Sequence, residues 1–513
     1  MLDQTIKTAL ETLQMNKQAL IFLPSRASAE KTAEDIAKLL PSSCPELEKQ
    51  VLTALSTPTT QCRRLSHCIN KGIAFHHAGL VQPQRELIEE GFRRGNVKII
   101  CCTPTLAAGI STPAFRVIIK SLKRFSGQWG MDWIPVLEYL QMAGRAGRPE
   151  FGDTFGEAIT IAKDEREKEE IYNKYICGVP EDIYSKLAVE PVLRTYLLSL
   201  ISSGIIRDNK TMAEFFNKTF WAHQFKDMNK LNQIMEKMLA LLTQWQFVEL
   251  QETGGKNEFM TAGQLGKPTE RKFHPTVLGK RISELYLDPL TARHILDCLD
   301  RYTEQKNSFS LLQMISHTLE MRPLLRTKSS EEDIIQEELV RNYDFLLEDE
   351  PSAYDLEYDE FINSIKTALF FESWISEHDE EYLLEKYNIR PGEIKVKLDL
   401  ADWLLYSAGE LCLLRQQHER VRELAKLRIR VKNGVKEELL PLLKLKGIGR
   451  IRSRRLYAHG IHDLGDVRRA DITTLSQLVG KAVAEDVKRQ LGEEVNEITP
   501  GTRKGQLSVQ KFS

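Results

Sequence analysis

Five short apolar runs, set between helical patterns, constrain the first third of this chain more than anything else in it. They read ALIFLP at 19–24, GIAFHH at 72–77, VKIICC at 97–102, FRVIIK at 115–120 and EAITIA at 157–162. Runs that are apolar throughout, rather than at every second residue, predict strands buried on both faces. Between them, SRASAEKTAEDIAKLL and QPQRELIEEGFRRG carry apolar residues at helical spacing, and residues 5–15 predict a further amphipathic helix. Strands alternating with helices mean a parallel sheet whose ligands gather at the carboxyl ends of the strands. Ser25, Arg26, His77 and Thr103 fall at those ends.

Beyond Lys163 the alternation stops. Helical spacing runs through 183–204 and into 228–250, whose end runs into a strand, followed by a polar turn at Gly254-Gly255 and a second strand before LGKRISELYLDP. From 288 to about 430 the pattern is all helical and ends in the long amphipathic stretch RPGEIKVKLDLADWLLYSAGELCLL. At 513 residues there is room for three or four domains. The net charge of −1 hides a segregation: thirteen acids against two bases over 328–360, and eleven bases against two acids over 426–455. A basic segment of that density is expected to meet nucleic acid, and the acidic one to be a solvated face. The eight cysteines include no CxxC pair, and Cys62, His67 and Cys68 are too loosely spaced for zinc. No signal peptide or apolar run of membrane-spanning length is present, so the expected location is the cytoplasm.

The densest chemistry lies in TPTLAAG at 103–109 and QMAGRAGRP at 141–149. Gln141, Arg145 and Arg148 stand four and then three residues apart, the spacing that sets side chains on one face of a helical turn. Gly144 and Gly147 leave that surface bare, and Pro149 ends any helix. Two guanidiniums offered side by side suit a polyphosphate on which charge builds during transfer. Further on, LLPLLKLKGIGRIRSRRLYAHGIHDLGDV predicts a helix-hairpin-helix around Gly447-Ile448-Gly449. Two glycines let the backbone turn tightly and present its amides to a phosphate, with Lys446, Arg450 and Arg452 adding charge. Such binding is independent of base sequence and weakens steeply with salt. In the polar tail, Gln506, Val509 and Phe512 have the spacing of a sliding-clamp-binding peptide.

TPTLAAG followed by QMAGRAGRP resembles motifs V and VI of superfamily 2 helicases of the Ski-two-like branch. The chain is similar, over nearly all its length, to the archaeal Holliday-junction-migration (Hjm) type, counterparts of animal helicase Q. The resemblance implies a multidomain fold: an α/β RecA-like lobe with a parallel sheet at 1–170, a winged helix at 171–287, and an all-α helical ratchet domain at 288–432. A helix-hairpin-helix at 433–498 and a flexible tail at 499–513 complete it. Arg145 and Arg148 would be arginine fingers, with Gln141 and Gly109 facing ATP. Ser25, Arg26, His77 and Thr103 would line the nucleic-acid track. A hairpin over 118–135 would act as a strand-separating wedge, with Phe125, Trp129 and Trp133 placed to stack. Trp403 would stack on a base of single-stranded DNA, while the family's arginine two turns earlier is Val396 here, flanked by Lys395 and Lys397.

A helicase motor also needs a first lobe with a GxxxxGK[ST] loop and a DExH box. Neither stands in this sequence: Thr253-Gly254-Gly255-Lys256-Asn257 lacks the spacing and the hydroxyl, Val479-Gly480-Lys481 lies in the helix-hairpin-helix, and Asp359-Glu360 and Asp379-Glu380 follow no strand. The expected function is therefore the C-terminal part of an ATP-dependent 3′–5′ DNA helicase acting on forked or branched DNA in replication-coupled repair. ATP and Mg2+ are the expected cofactors, with the magnesium ligands on a companion lobe. The alternatives are a non-catalytic DNA-binding or clamp-tethering module and a Ski-two-like RNA helicase.

Overall fold

The computed structural model describes every residue except 1–2, 42–43, 56–57, 105, 107–112, 126–129, 150–151, 227, 254–269, 304 and 494–513. Compactness divides the chain into two units. One holds Met1–Asp300, Thr318–Leu325 and Asp379–Leu400, and the other holds the rest of the described chain.

The apolar runs of the first unit become β1 (Ala19–Phe22), β2 (Ile73–His76), β3 (Ile99–Cys102) and β4 (Arg116–Ile119), in which every residue is buried. A hairpin of β5 (Lys123–Phe125) and β6 (Met131–Trp133) follows, and then β7 (Glu157–Thr160). The sheet runs β2-β3-β1-β4-β7, parallel throughout. Ile21 lies between Cys101 and Ile118 in register. α1 (Gln4–Gln14) precedes β1; the helical crossovers that such strands need are α2 (Arg26–Ala37), α3 (Pro45–Thr53) and α4 (Thr60–Asn70) between β1 and β2, and α5 (Gln82–Arg93) between β2 and β3. Among the described residues the predicted hairpin over 118–135 is shorter than expected: Ile118 and Ile119 belong to the central sheet, and Lys123–Phe125 pairs with Met131–Trp133.

After α6 (Val136–Ala143) and α7 (Glu165–Ile171) the unit turns helical, with α8 (Glu190–Ser202), α9 (Asn209–Phe216), α10 (Phe220–Phe225), α11 (Met228–Gln244), α12 (Val277–Glu284) and α13 (Pro289–Asp300). Between α11 and α12, β8 (Val248–Thr253) pairs antiparallel with β9 (Glu270–Pro275).

The second unit is helical. In α14 (Ser308–Ser316) every residue from Phe309 to Ser316 is buried, and α14 packs on α16 (Tyr358–Ile375), with α15 (Glu332–Asn342) alongside. α17 (Glu380–Tyr387) and the first ten residues of α18 (Pro391–Leu414) count with the first unit, and the remainder of α18 with the second. α19 (His418–Asn433) leads to α20 (Arg450–Ala458), α21 (Leu464–Arg469), α22 (Ile472–Val479) and α23 (Lys481–Gln490). These last four share a small core of their own that includes Ile448, Leu456, Val467, Leu475 and Val487. The segment holds two hairpins rather than the one read from the sequence. Gly447 turns ahead of α20 at φ +82°, and Gly480 turns between α22 and α23 at φ +92°, both in the region that only glycine enters freely.

Candidate nucleotide and nucleic-acid site

The carboxyl ends of β1, β2 and β3 bring 24–26, 77–79 and 103–104 to one edge of the sheet, as expected of a parallel arrangement. What each residue does there differs. Ser25 is exposed and caps α2, its Oγ accepting the backbone N–H of Ser28 at 3.2 Å. Arg26 is ion-paired with Glu393. Thr103 is half-buried and its N–H donates to the His76 carbonyl at 3.3 Å.

His77 is a correction. It is fully buried and stacked on Phe75, with ring centroids 5.6 Å apart, and so is closed to a nucleic-acid phosphate. The Gly79 N–H donates to Nδ1 at 3.1 Å, so that nitrogen is bare and Nε2 carries the proton that is shared with Glu30 at 3.1 Å. Burial, outweighing the Glu30 hydrogen bond, pushes the imidazole pKa down. Glu30 is the hub. Gln61 reaches it at 3.0 Å, Arg64 at 2.7 Å and Arg390 at 3.1 Å. Burial alone would raise the carboxyl, but the His77 hydrogen bond and the Arg390 charge hold it at about 2. No sequence pattern joins Glu30 to Arg390, 360 residues away.

The 141–149 stretch also departs from its reading. The helix ends at Ala143 with Gly144 as its cap, so only Gln141 sits on a helix, and Gln141, Arg145 and Arg148 do not share a helical face. The loop is instead bound to the sheet: Ala114 N–H donates to the Arg145 carbonyl at 2.9 Å, and Gly147 N–H to the Ala114 carbonyl at 2.7 Å. Gly147 stands at φ +98°, and the Cα of Gly156 lies so close that a Cβ there would fall 2.2 Å from the Gly147 nitrogen. Arg148 is 7% exposed. Its Nε donates to Asp153 at 3.0 Å and its Nη1 to Gln18, while Lys17 approaches the same aspartate at 2.6 Å. Arg148 is therefore not offered beside Arg145 as a second surface guanidinium, and Arg145 is the more accessible, half-buried one. Gln141, Pro24 and Pro104 line a cavity of about 480 Å³ with Lys123, Arg124 and Glu138. Arg124 and Glu138 are paired across it at 2.9 Å. The sequence reading passed over this pair, which ties the hairpin to α6.

On that hairpin Trp133 packs under Lys123, 4.1 Å from its ring centroid, and lies 5.9 Å from Tyr175. It is a packed ring rather than one free to stack on a base pair. The Phe125 side chain, Trp129 and Gly109 lie outside the described residues, as do Gln506, Val509 and Phe512.

Trp403 is half-buried on α18. Of the lysines flanking exposed Val396, Lys395 is paired with Asp399 at 2.7 Å. Lys397 is buried and donates to the carbonyls of Met321 and Pro323, and burial lowers its pKa to about 8. It is closed to a phosphate. In the first hairpin Lys446, Gly447, Gly449 and Arg452 are exposed. Arg452 donates to the Gly447 carbonyl at 2.8 Å, bracing the turn. Arg450 turns inward instead, over the Trp374 ring at 4.8 Å and onto the His378 carbonyl, which removes it from the phosphate-facing set. Arg454 likewise grips Glu377 and Glu438, the latter at 2.8 Å. No described helix is long and apolar enough to cross a membrane.

Known proteins match this layout. Residues 2–150 match the helicase conserved C-terminal domain, 309–434 the family described as archaeal helicase, domain 4, and 439–493 the SAM-like helix-hairpin-helix tandem, in keeping with two hairpins. Proteins named ATP-dependent DNA helicase Hel308 are similar over nearly the whole chain. The one from Pyrococcus abyssi is 36% identical, covering 97% of this chain and 67% of its own length. Those from Methanocella arvoryzae and Methanococcus vannielii are 35% and 36% identical over 98% and 94% of this chain, and 66% and 67% of their own. The chain thus spans about two thirds of the length of these relatives. With a parallel-sheet lobe carrying TPTLAAG and QMAGRAGRP, and this similarity throughout, the chain belongs to the Hel308 family of archaeal superfamily 2 DNA helicases.

Proposed function

We propose that these residues form the C-terminal part of an ATP-dependent DNA helicase of the Hjm type, moving 3′ to 5′ on forked or branched DNA in replication-coupled repair. In this reading ATP hydrolysis needs a first RecA-like lobe supplied from outside the 513 residues. The observation that carries it is the fixed loop at 144–148. Backbone bonds to Ala114 and the Arg148–Asp153 pair hold that loop against the sheet, and Arg145 leaves it near the end of α6 that carries Gln141. A guanidinium held by a rigid element is what a transferring phosphoryl group requires. Arg145 acts as the finger, Gln141 faces the nucleotide, and Arg148 keeps the loop in register. In this reading the magnesium ligands lie on the companion lobe.

Residues 171–287, with β8 and β9 as the wing, serve as the winged helix. α18 serves as the ratchet helix, with Trp403 against a base. Ser25, Arg26 and Thr103 border the track, and Lys446, Gly447, Gly449 and Arg452 hold backbone phosphate. Gln506, Val509 and Phe512 tether a sliding clamp. The test is ATPase with single-stranded DNA, measured for the chain alone and with a Walker-type lobe from a relative. Activity should appear only with the added lobe and vanish with Arg145→Ala. Vigorous hydrolysis by the chain alone would contradict the assignment of the phosphate cradle to another lobe.

One observation favours a second reading, a non-catalytic DNA-binding or clamp-tethering module. Since Arg148 is kept by the fold of the lobe, its presence says nothing about a working motor. Failure of every added lobe to restore hydrolysis, with DNA binding intact, selects that reading.

A further inference from the structure

In the second unit, Tyr302, Thr303 and Lys306 and the first turns of α19 enclose a cavity of about 560 Å³. Four bases line it, Lys306, Arg420, Arg422 and Lys426, together with Tyr302 and two acids, Glu419 and Glu423. Two of the bases are occupied. Lys426 is balanced by Glu423 at 3.0 Å and Glu437 at 3.3 Å, and Lys306 donates to the carbonyls of Asp344 and Leu346, the latter at 3.2 Å. Neither arginine holds a carboxylate among the described residues. Arg420 reaches the Tyr302 carbonyl with Nη2 at 3.4 Å, a long hydrogen bond, and its Nη1 is buried with no acceptor among the described residues. Arg422 is exposed and has no carboxylate partner among them. A buried N–H left without an acceptor is destabilising, and an acceptor brought by a ligand relieves it. The fork of an arginine matches the oxygens of a phosphate, and a second arginine two residues on adds charge at the same opening.

We propose that this cavity is a phosphate-binding site separate from the helicase lobe, in which Arg420 and Arg422 take a phosphodiester of single-stranded nucleic acid or the phosphates of a free nucleotide. The nucleic-acid source rests on the helicase reading, and the nucleotide source does not.

Binding of a fluorescent oligothymidylate to the full chain, followed by anisotropy across a salt series, tests the first source. The slope of log K against log salt falls by about 0.7 for each single-strand phosphate that the protein no longer neutralises. Arg422→Ala should lower it by about that amount, and the double variant with Arg420→Ala by about twice it. Calorimetric titration with inorganic pyrophosphate tests the second source: binding to the parent chain should be lost in the double variant. Arg422 is exposed, so its substitution leaves the core untouched, and thermal melting checks the double variant. An unchanged slope together with unchanged or absent pyrophosphate binding overturns the site. A parent chain that binds no oligothymidylate counts against the helicase reading, and pyrophosphate alone then decides.

Discussion

Glu30 shows how a residue with no motif around it can hold a lobe together. It is 3% exposed, stays ionised, and collects donors from His77, Gln61, Arg64 and Arg390. Its folded pKa of about 2 lies below the ordinary 4.5, so the unfolded chain binds more protons as pH falls. The stability it contributes is complete above pH 4.5 and is lost as pH falls toward 2. His77, also lowered, acts in the same direction, its contribution being present above its ordinary 6.5 and lost below it. Urea melts at pH 5 and pH 2.5 should show a drop that Glu30→Gln flattens, with about 2–3 kcal/mol at stake. A variant as acid-sensitive as the parent would remove Glu30 from this role. The two arginines of the 144–148 loop separate in the same way. Arg148→Ala leaves Asp153 buried with Lys17 alone and should cost about 2–3 kcal/mol by chemical denaturation. Arg145→Ala should cost little stability, yet lower lobe-reconstituted ATPase by roughly a thousandfold. Spacing alone did not distinguish these arginines, because burial of Arg148 depends on Gln18 and Asp153, which the tertiary fold brings up.

At the scale of elements the sheet was legible and the loops were not. Uninterrupted apolar runs announce buried parallel strands because a strand covered on both faces has no polar side to show. The four most buried strands fall where those runs stand. The stretch at 141–149 misled because helical spacing continues past Ala143 while the backbone does not: Gly144 caps the helix and Gly147 takes a left-handed turn. That turn needs the bare Cα of Gly156 beside it. Gly156→Ala should therefore push the loop off the sheet, since its Cβ would meet the Gly147 nitrogen at 2.2 Å. Faster proteolysis near 145–155 and loss of reconstituted ATPase are the expected readouts, and wild-type behaviour in both would show that the loop tolerates the displacement. The basic run at 450–455 misled differently. On a helix, successive arginines point to different sides, so Arg450 and Arg454 are spent on Trp374, Glu377 and Glu438 while Arg452 stays outside.

For the whole molecule, the charge segregation read from composition has a measurable consequence that the structure reduces in size. Eleven bases over 426–455 suggest a steep salt dependence, but several are internally neutralised. Arg428 is paired with Asp402 at 2.8 Å, Lys426 with two glutamates, Arg454 with two more, and Arg450 lies on an aromatic ring. An ion-paired base gains little from a phosphate, because it must first give up the carboxylate it holds. What the first hairpin still offers a phosphate is its exposed glycine backbone at 447 and 449 and the charges of Lys446 and Arg452, since the Lys446 N–H donates to Gln490 at 2.8 Å and the Ile448 N–H to the Leu445 carbonyl. For the full chain on single-stranded DNA, Lys446→Ala with Arg452→Ala should therefore lower the salt slope by at most about 1.4, two phosphates at about 0.7 each. Arg450→Ala should leave the slope unchanged and instead lower the melting temperature, since it removes a cation–π interaction and a bond to the His378 carbonyl. A slope that falls as far with Arg450→Ala as with Lys446→Ala would mean that Arg450 leaves Trp374 when DNA binds, and that the junction at 374–378 opens in the complex.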